Sequence, residues 1–177
     1  MILIYTGNGK GKTSAAMGGV FRALGHGWRV LVVQFMKGDW PVVFGEKESA
    51  KRHPKLEFLQ MGRGFVKIMG DKKPLSVHRE AARQALALAG KKIASGRYDL
   101  VVLDEVFVAL NYQKGKRLLT EGELMKFLKK APLKAHLIMT GRNAHERFIK
   151  RADLVTEMRE IKHPFQKGKP AVKGIDY

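Results

Sequence analysis

The sequence predicts an α/β fold: a mostly parallel sheet of five to six strands with helices on both faces. Three observations predict it. Apolar, β-branched runs of strand length alternate with segments of helical period along the whole chain. The first run leads into a glycine-rich loop and then a helical pattern, at Thr6-Gly7-Asn8-Gly9-Lys10-Gly11-Lys12-Thr13. A later apolar run, residues 100–105, ends in the paired carboxylates Asp104 and Glu105. Strands that are apolar throughout, each followed by a helix, belong to a parallel sheet covered on both sides.

Each element has its own justification. Ile2–Tyr5 is an apolar first strand, and a helix begins near Ser14. Arg29–Phe35 is a second, buried strand, and Leu56–Gln60 a shorter third. Leu75–Ser95 is a long helix opened by Pro74 and ended by Gly96, its apolar positions clustering near a 3.6 period. Asp99–Asp104 is the fourth strand. Thr120 with Glu123 forms a capping box for a helix running through Lys130. Ala135–Thr140 is a fifth strand and Leu154–Met158 a sixth. Without an internal repeat or a linker, residues 1–177 are expected to form one nucleotide-binding domain, with an irregular segment at 159–177 packing on it.

Composition narrows the function. The chain has 177 residues, 45% of them hydrophobic, which suffices for a single sizeable core. There is no cysteine, so disulfides and thiolate metal sites are excluded. No stretch approaches the length of a membrane span, and the chain opens on a strand rather than a secretory leader, so a cytoplasmic protein is expected. The net charge is +18, from 34 basic and 16 acidic residues. Such a field draws a polyanionic ligand, either a triphosphate or nucleic acid. The basic residues are scattered, without the aromatic alternation of a base-stacking strand, which favours a solvated basic surface over a nucleic-acid interface.

The glycine loop carries the chemistry. Gly7, Gly9 and Gly11 are expected to take positive φ and turn backbone N–H groups inward, making with the helix N-terminus a cradle for phosphate oxygens. Asn8 and Lys10 lie within that cradle, Lys12 reaches the terminal phosphates, and the Thr13 hydroxyl is placed for Mg²⁺. The usual pattern is G-x-x-x-x-G-K-[ST]; here Thr6 stands at its first glycine. Asp104 and Glu105 suit an Mg²⁺ site beside the loop, or alternatively an acid serving the next helix dipole. Arg142, after the fifth strand, is either a phosphate ligand or a surface residue of a turn. Arg22 either faces the nucleotide or is solvated on its helix. The six histidines show no metal-ligand spacing, and no nucleophile constellation is present.

Taken together, these residues resemble the P-loop type of corrinoid adenosyltransferase over nearly the whole chain. The resemblance rests on residues 5–13 (YTGNGKGKT), 22–27 (RALGHG), 32–38 (VVQFMKG), 62–65 (GRGF), 102–105 (VLDE), 140–142 (TGR), 152–158 (ADLVTEM), 163–165 (HPF) and 174–175 (GI). It implies a RecA-like fold, usually homodimeric, and transfer of the 5′-deoxyadenosyl group of ATP to the Co(I) of a corrinoid with release of triphosphate. It implies that Gly7–Thr13 bind the phosphates, that Lys12 neutralises their charge, and that Thr13 and Glu105 hold Mg²⁺ with Asp104 behind a metal-bound water. It places Phe65 against the corrin ring and implies a flavoprotein reductase that supplies Co(I). Three features depart from the family pattern: Lys67 stands where a tryptophan is usual, Arg63 where an acid is frequent, and the N-terminal helix of many members is not expected ahead of the first strand. Either another segment, such as residues 62–74, is then expected to close the corrinoid site, or the site stays more open.

Overall fold

The computed structural model describes residues 1–39, 42–64, 66, 70–112, 116–130 and 134–177. Six strands form one sheet: β1 (Ile2–Thr6), β2 (Val30–Gln34), β3 (Leu56–Gln60), β4 (Leu100–Asp104), β5 (His136–Thr140) and β6 (Leu154–Glu157). Every pairing is parallel, in the order β3-β2-β4-β5-β1-β6. The strand carrying the glycine loop and the strand ending in Asp104 are therefore separated by one strand, β5. This is a RecA-like arrangement, as expected from the sequence.

Side chains alternate across the sheet, and the two faces bury different sets. On one face, Leu31, Val33, Val101, Leu103, Leu137 and Met139 pack with residues of α3 (Leu75–Ala94), α4 (Val106–Asn111) and α5 (Glu121–Lys130). On the other, Val30, Val32, Leu100, Val102 and Ile138 pack with Ala16, Val20 and Ala23 of α1 (Lys12–Gly25). The period of two then fixes where Asp104 points. It has the parity of Leu100 and Val102, so its side chain emerges on the α1 face, where Thr13 stands.

Several local expectations hold. Pro74 precedes α3, and Gly96, with φ 66°, follows its end. The Thr120 N–H donates to Glu123 Oε2 at 2.7 Å and the Glu123 N–H to Thr120 Oγ1 at 3.2 Å, completing the capping box. Three short helices were not expected: α2 (Gly45–Ala50), α4 and α6 (Glu146–Ile149). At four to six residues each, they are too short to display a helical period. In the irregular tail, Pro164–Lys167 forms one 3₁₀ turn. No helix among the described residues is long and apolar enough to cross a membrane.

Candidate active site

The glycine loop lies at the carboxyl end of β1 and enters α1. Gly7 and Gly11 have φ of 95° and 110°, as the sequence predicts. Gly9 does not take positive φ. Its lack of a side chain serves a close approach instead: a Cβ there would lie 2.7 Å from the Arg159 carbonyl carbon. Its N–H donates to the Met158 carbonyl at 2.7 Å rather than pointing into the loop. The chain leaving β6 thus braces the loop from outside.

Inside the loop, the Lys12 ammonium donates to the carbonyls of Gly7 at 2.8 Å and Gly9 at 2.7 Å. Lys12 is buried, and burial lowers its pKa, offset in part by Glu105. The Thr13 hydroxyl donates to Asp104 Oδ1 at 2.9 Å, joining two residues 91 positions apart in sequence. Thr140, at the end of the intervening β5, completes the junction. Its hydroxyl donates to Asp104 Oδ1 at 2.7 Å and accepts from the Glu105 N–H at 2.9 Å. Asp104 Oδ2 accepts from Gln34 Nε2 at 3.0 Å. Asp104, Thr140 and Gln34 are each 0% exposed, so the bonds from Thr140 and Gln34 to Asp104 have no water as a substitute.

Glu105 follows in a left-handed conformation, φ 62° and ψ 21°, which is strained for a residue with a Cβ. Its carboxyl pKa is raised from 4.5 to about 7. Burial is the main cause and Asp104 the second, against the opposing pull of Lys37, Lys12 and Arg142. A cation joining it would favour the charged carboxylate.

Of these groups, Lys12, Thr13 and Glu105 line a cleft of about 450 Å³. Asn8, Lys10, Lys37, Arg142 and Glu105 form part of its wall, and Gly174–Tyr177 of the tail close another part, with Lys10 ion-paired to Asp176. Arg142 sits on a turn held by Asn111, whose Nδ2 donates to the carbonyls of Asn143 at 2.8 Å and Arg142 at 3.3 Å. Of the residues expected at the site, Gly9, Gly11, Asn8, Lys10, Lys12, Thr13, Glu105 and Arg142 line the cleft, and Asp104 lies behind it. Arg22 does not join them. It is exposed, ten residues along α1 from Lys12, or about 15 Å of helix rise. Phe65 and Lys67 lie outside the described residues. Gln34, Lys37 and Thr140 stand within the segments 32–38 and 140–142 that carry the resemblance, but sequence alone assigns them no part in the site. A signal existed for the first: Gln34 is a lone amide ending an otherwise apolar strand.

The oxygen donors of Thr13, Asp104 and Glu105 suit a hard divalent cation such as Mg²⁺. Among the described residues, no group of three or more His, Cys, Asp or Glu side chains could hold a metal ion. A cation bound here therefore needs further oxygens from a ligand, as Mg²⁺ takes from nucleotide phosphates.

Comparison with known proteins agrees with this geometry. The ATP:corrinoid adenosyltransferase family BtuR/CobO/CobP matches residues 1–177. The corrinoid adenosyltransferase of Escherichia coli strain K12 is 39% identical over 177 residues, covering all of this chain and 85% of that protein. Corrinoid adenosyltransferase CobA of Salmonella typhimurium is 40% identical over 178 residues, with 100% and 85% covered. The corrinoid adenosyltransferase of a Sinorhizobium species is 38% identical over 180 residues, with 100% and 80% covered. With a match from the first residue to the last and a RecA-like sheet to carry it, this chain belongs to the ATP:corrinoid adenosyltransferase family.

Proposed function

We propose that the cleft binds Mg²⁺-ATP with its triphosphate on residues 7–13 and presents the ribose C5′ to the cobalt of a reduced corrinoid. The observation that carries this reading is the junction of Lys12, Thr13, Asp104 and Glu105 at one cleft. Family membership supplies the reaction: an ATP-dependent adenosyl transfer to a corrinoid. The Co(I) electron pair forms the Co–C5′ bond as the C5′–O bond breaks, and triphosphate leaves with the bonding pair. No proton need be moved, so the protein's work is binding, orientation and charge.

Each residue has a part in that work. Lys12 would leave the two loop carbonyls and bond the phosphates as a point charge. Lys10, Lys37 and Arg142 line the same cleft and add positive charge for the departing triphosphate. Thr13 and Glu105 would hold Mg²⁺, and Asp104, fixed by three donors, would orient a water on it. The ion supplies charge neutralisation at the phosphate oxygens. The glycine turn at 62–64, followed by Phe65, is the corrinoid side of the reading. Residues 1–177 act as one domain, in a homodimer in the cytoplasm, and a flavoprotein reductase supplies Co(I).

Anaerobic incubation with Mg²⁺-ATP and chemically reduced corrinoid tests the reading. The visible spectrum should change to that of the adenosylcorrinoid, and only with Mg²⁺ present. ATP consumption without that change would contradict it.

A further inference from the structure

We infer that Gln34 and Gln60 form a polarised hydrogen-bond relay that sets the orientation of Asp104, and that both are positioning residues for the nucleotide site. The inference rests on the placement of Mg²⁺-ATP proposed above.

The relay follows from strand register. Gln60 of β3, Gln34 of β2 and Asp104 of β4 are direct partners across the sheet. Directly opposed side chains point to the same face. The row two residues earlier, Phe58, Val32 and Val102, is wholly apolar. Amides replace apolar side chains only in the row that holds the acid.

The polarity of the row has a single solution. A carboxylate only accepts, so Gln34 must turn its NH₂ to Asp104, and Nε2 lies 3.0 Å from Oδ2. The Gln34 oxygen then faces outward and accepts from Gln60 Nε2 at 3.0 Å. With Thr13 and Thr140 on Oδ1, Asp104 receives three donors from three separate elements. Its carboxylate plane is over-determined while it remains fully buried.

The outer end of the row is anchored as well. The Met61 N–H donates to the Gln34 carbonyl at 2.9 Å, and the Met61 carbonyl accepts from Gly38 at 3.0 Å. A Cβ on Gly62 would lie 2.5 Å from the Phe35 carbonyl oxygen, so the two turns meet backbone to backbone. The row therefore ties the acid to the turn at 61–64 that leads into the proposed corrinoid loop.

The relay can be reversed from its far end. In Gln60→Glu the new carboxylate competes with Asp104 for the single Gln34 NH₂ group. Wherever the new carboxylate takes that donor, the Gln34 oxygen is turned onto Asp104. Gln60→Leu removes the outer bond but leaves Asp104 to dictate the same Gln34 orientation. Calorimetric titration of the full chain with ATP, in Mg²⁺ and in EDTA, reads the difference. Gln60→Glu should lose roughly 10- to 100-fold in Mg²⁺-dependent affinity, as for a hydrogen bond to a charged group, and Gln60→Leu only about threefold or less. In a Gln34→Leu background, Gln60→Glu should add nothing further. The Gln34 side-chain amide resonances should shift in Gln60→Glu and stay near their original positions in Gln60→Leu, with no ligand present. Equal effects of the two position-60 variants, or a Gln60→Glu effect that persists in Gln34→Leu, would overturn the relay. An unaltered chain without Mg²⁺-dependent ATP binding would overturn the nucleotide placement, and this inference with it.

Discussion

Replacing Glu105 by glutamine should stabilise the ligand-free protein at alkaline pH while weakening its hold on Mg²⁺-ATP. The folded pKa of Glu105 is about 7, against the ordinary 4.5 expected in the unfolded chain. Below 4.5 both states carry the proton and the group costs nothing. Between 4.5 and about 7 the folded state keeps a proton the unfolded state has released, so stability falls as pH rises. Above that range the full penalty is present. The interval corresponds to at most about 3–4 kcal/mol at ~1.36 kcal/mol per pH unit, and Asp104 shares part of it. Glutamine has the shape of the protonated acid and does not titrate. Urea unfolding should therefore give similar stabilities for the two proteins near pH 4.5 and an advantage of about 2–3 kcal/mol for Glu105→Gln near pH 8. Parallel stability curves across that range would refute the account of the half-buried Glu105 carboxyl. The same variant should bind ATP more weakly in Mg²⁺ than the unaltered protein, because the ion loses an anionic ligand.

Other perturbations probe the neighbouring parts. Lys12→Ala should lower ATP affinity roughly 100-fold, in keeping with the loss of more than one charge-assisted hydrogen bond; near-normal turnover would remove the loop from the phosphate site. Gly9→Ala should destabilise by about 1–3 kcal/mol through overpacking against Arg159, whereas Gly18→Ala, with open space around its Cβ on α1, should be neutral or stabilising by thermal melting. Thr140→Val should cost about 2–4 kcal/mol, since Asp104 loses a donor and the Glu105 N–H loses its acceptor. Thr140→Ser should recover most of that loss in the same unfolding measurement.

The centre of the sheet was legible because strands such as β2 and β4 are apolar on both faces, a pattern that needs no partner to be read. Val30–Gln34 and Leu100–Asp104 are buried at every position, as parallel central strands must be. The capping box at Thr120 was legible because both partners lie within one turn. The rest of the site depended on geometry that only the assembled sheet provides. Gln34 and Thr140 are single polar residues at strand ends, and they acquire meaning only when register places them beside Asp104. Position 9 is a glycine for the sake of Arg159, 150 residues away in sequence, which a local reading of the loop does not show. The sequence allows Arg22 as a nucleotide contact, yet the rise of α1 alone takes it away from the loop.

The most direct test is the identity of the phosphate product. Phosphorus NMR of an anaerobic reaction with Mg²⁺-ATP and Co(I) corrinoid should show intact triphosphate appearing in step with the adenosylated corrinoid. ADP and inorganic phosphate in its place would mean that the bond broken lies between phosphates rather than at C5′, and would contradict the account.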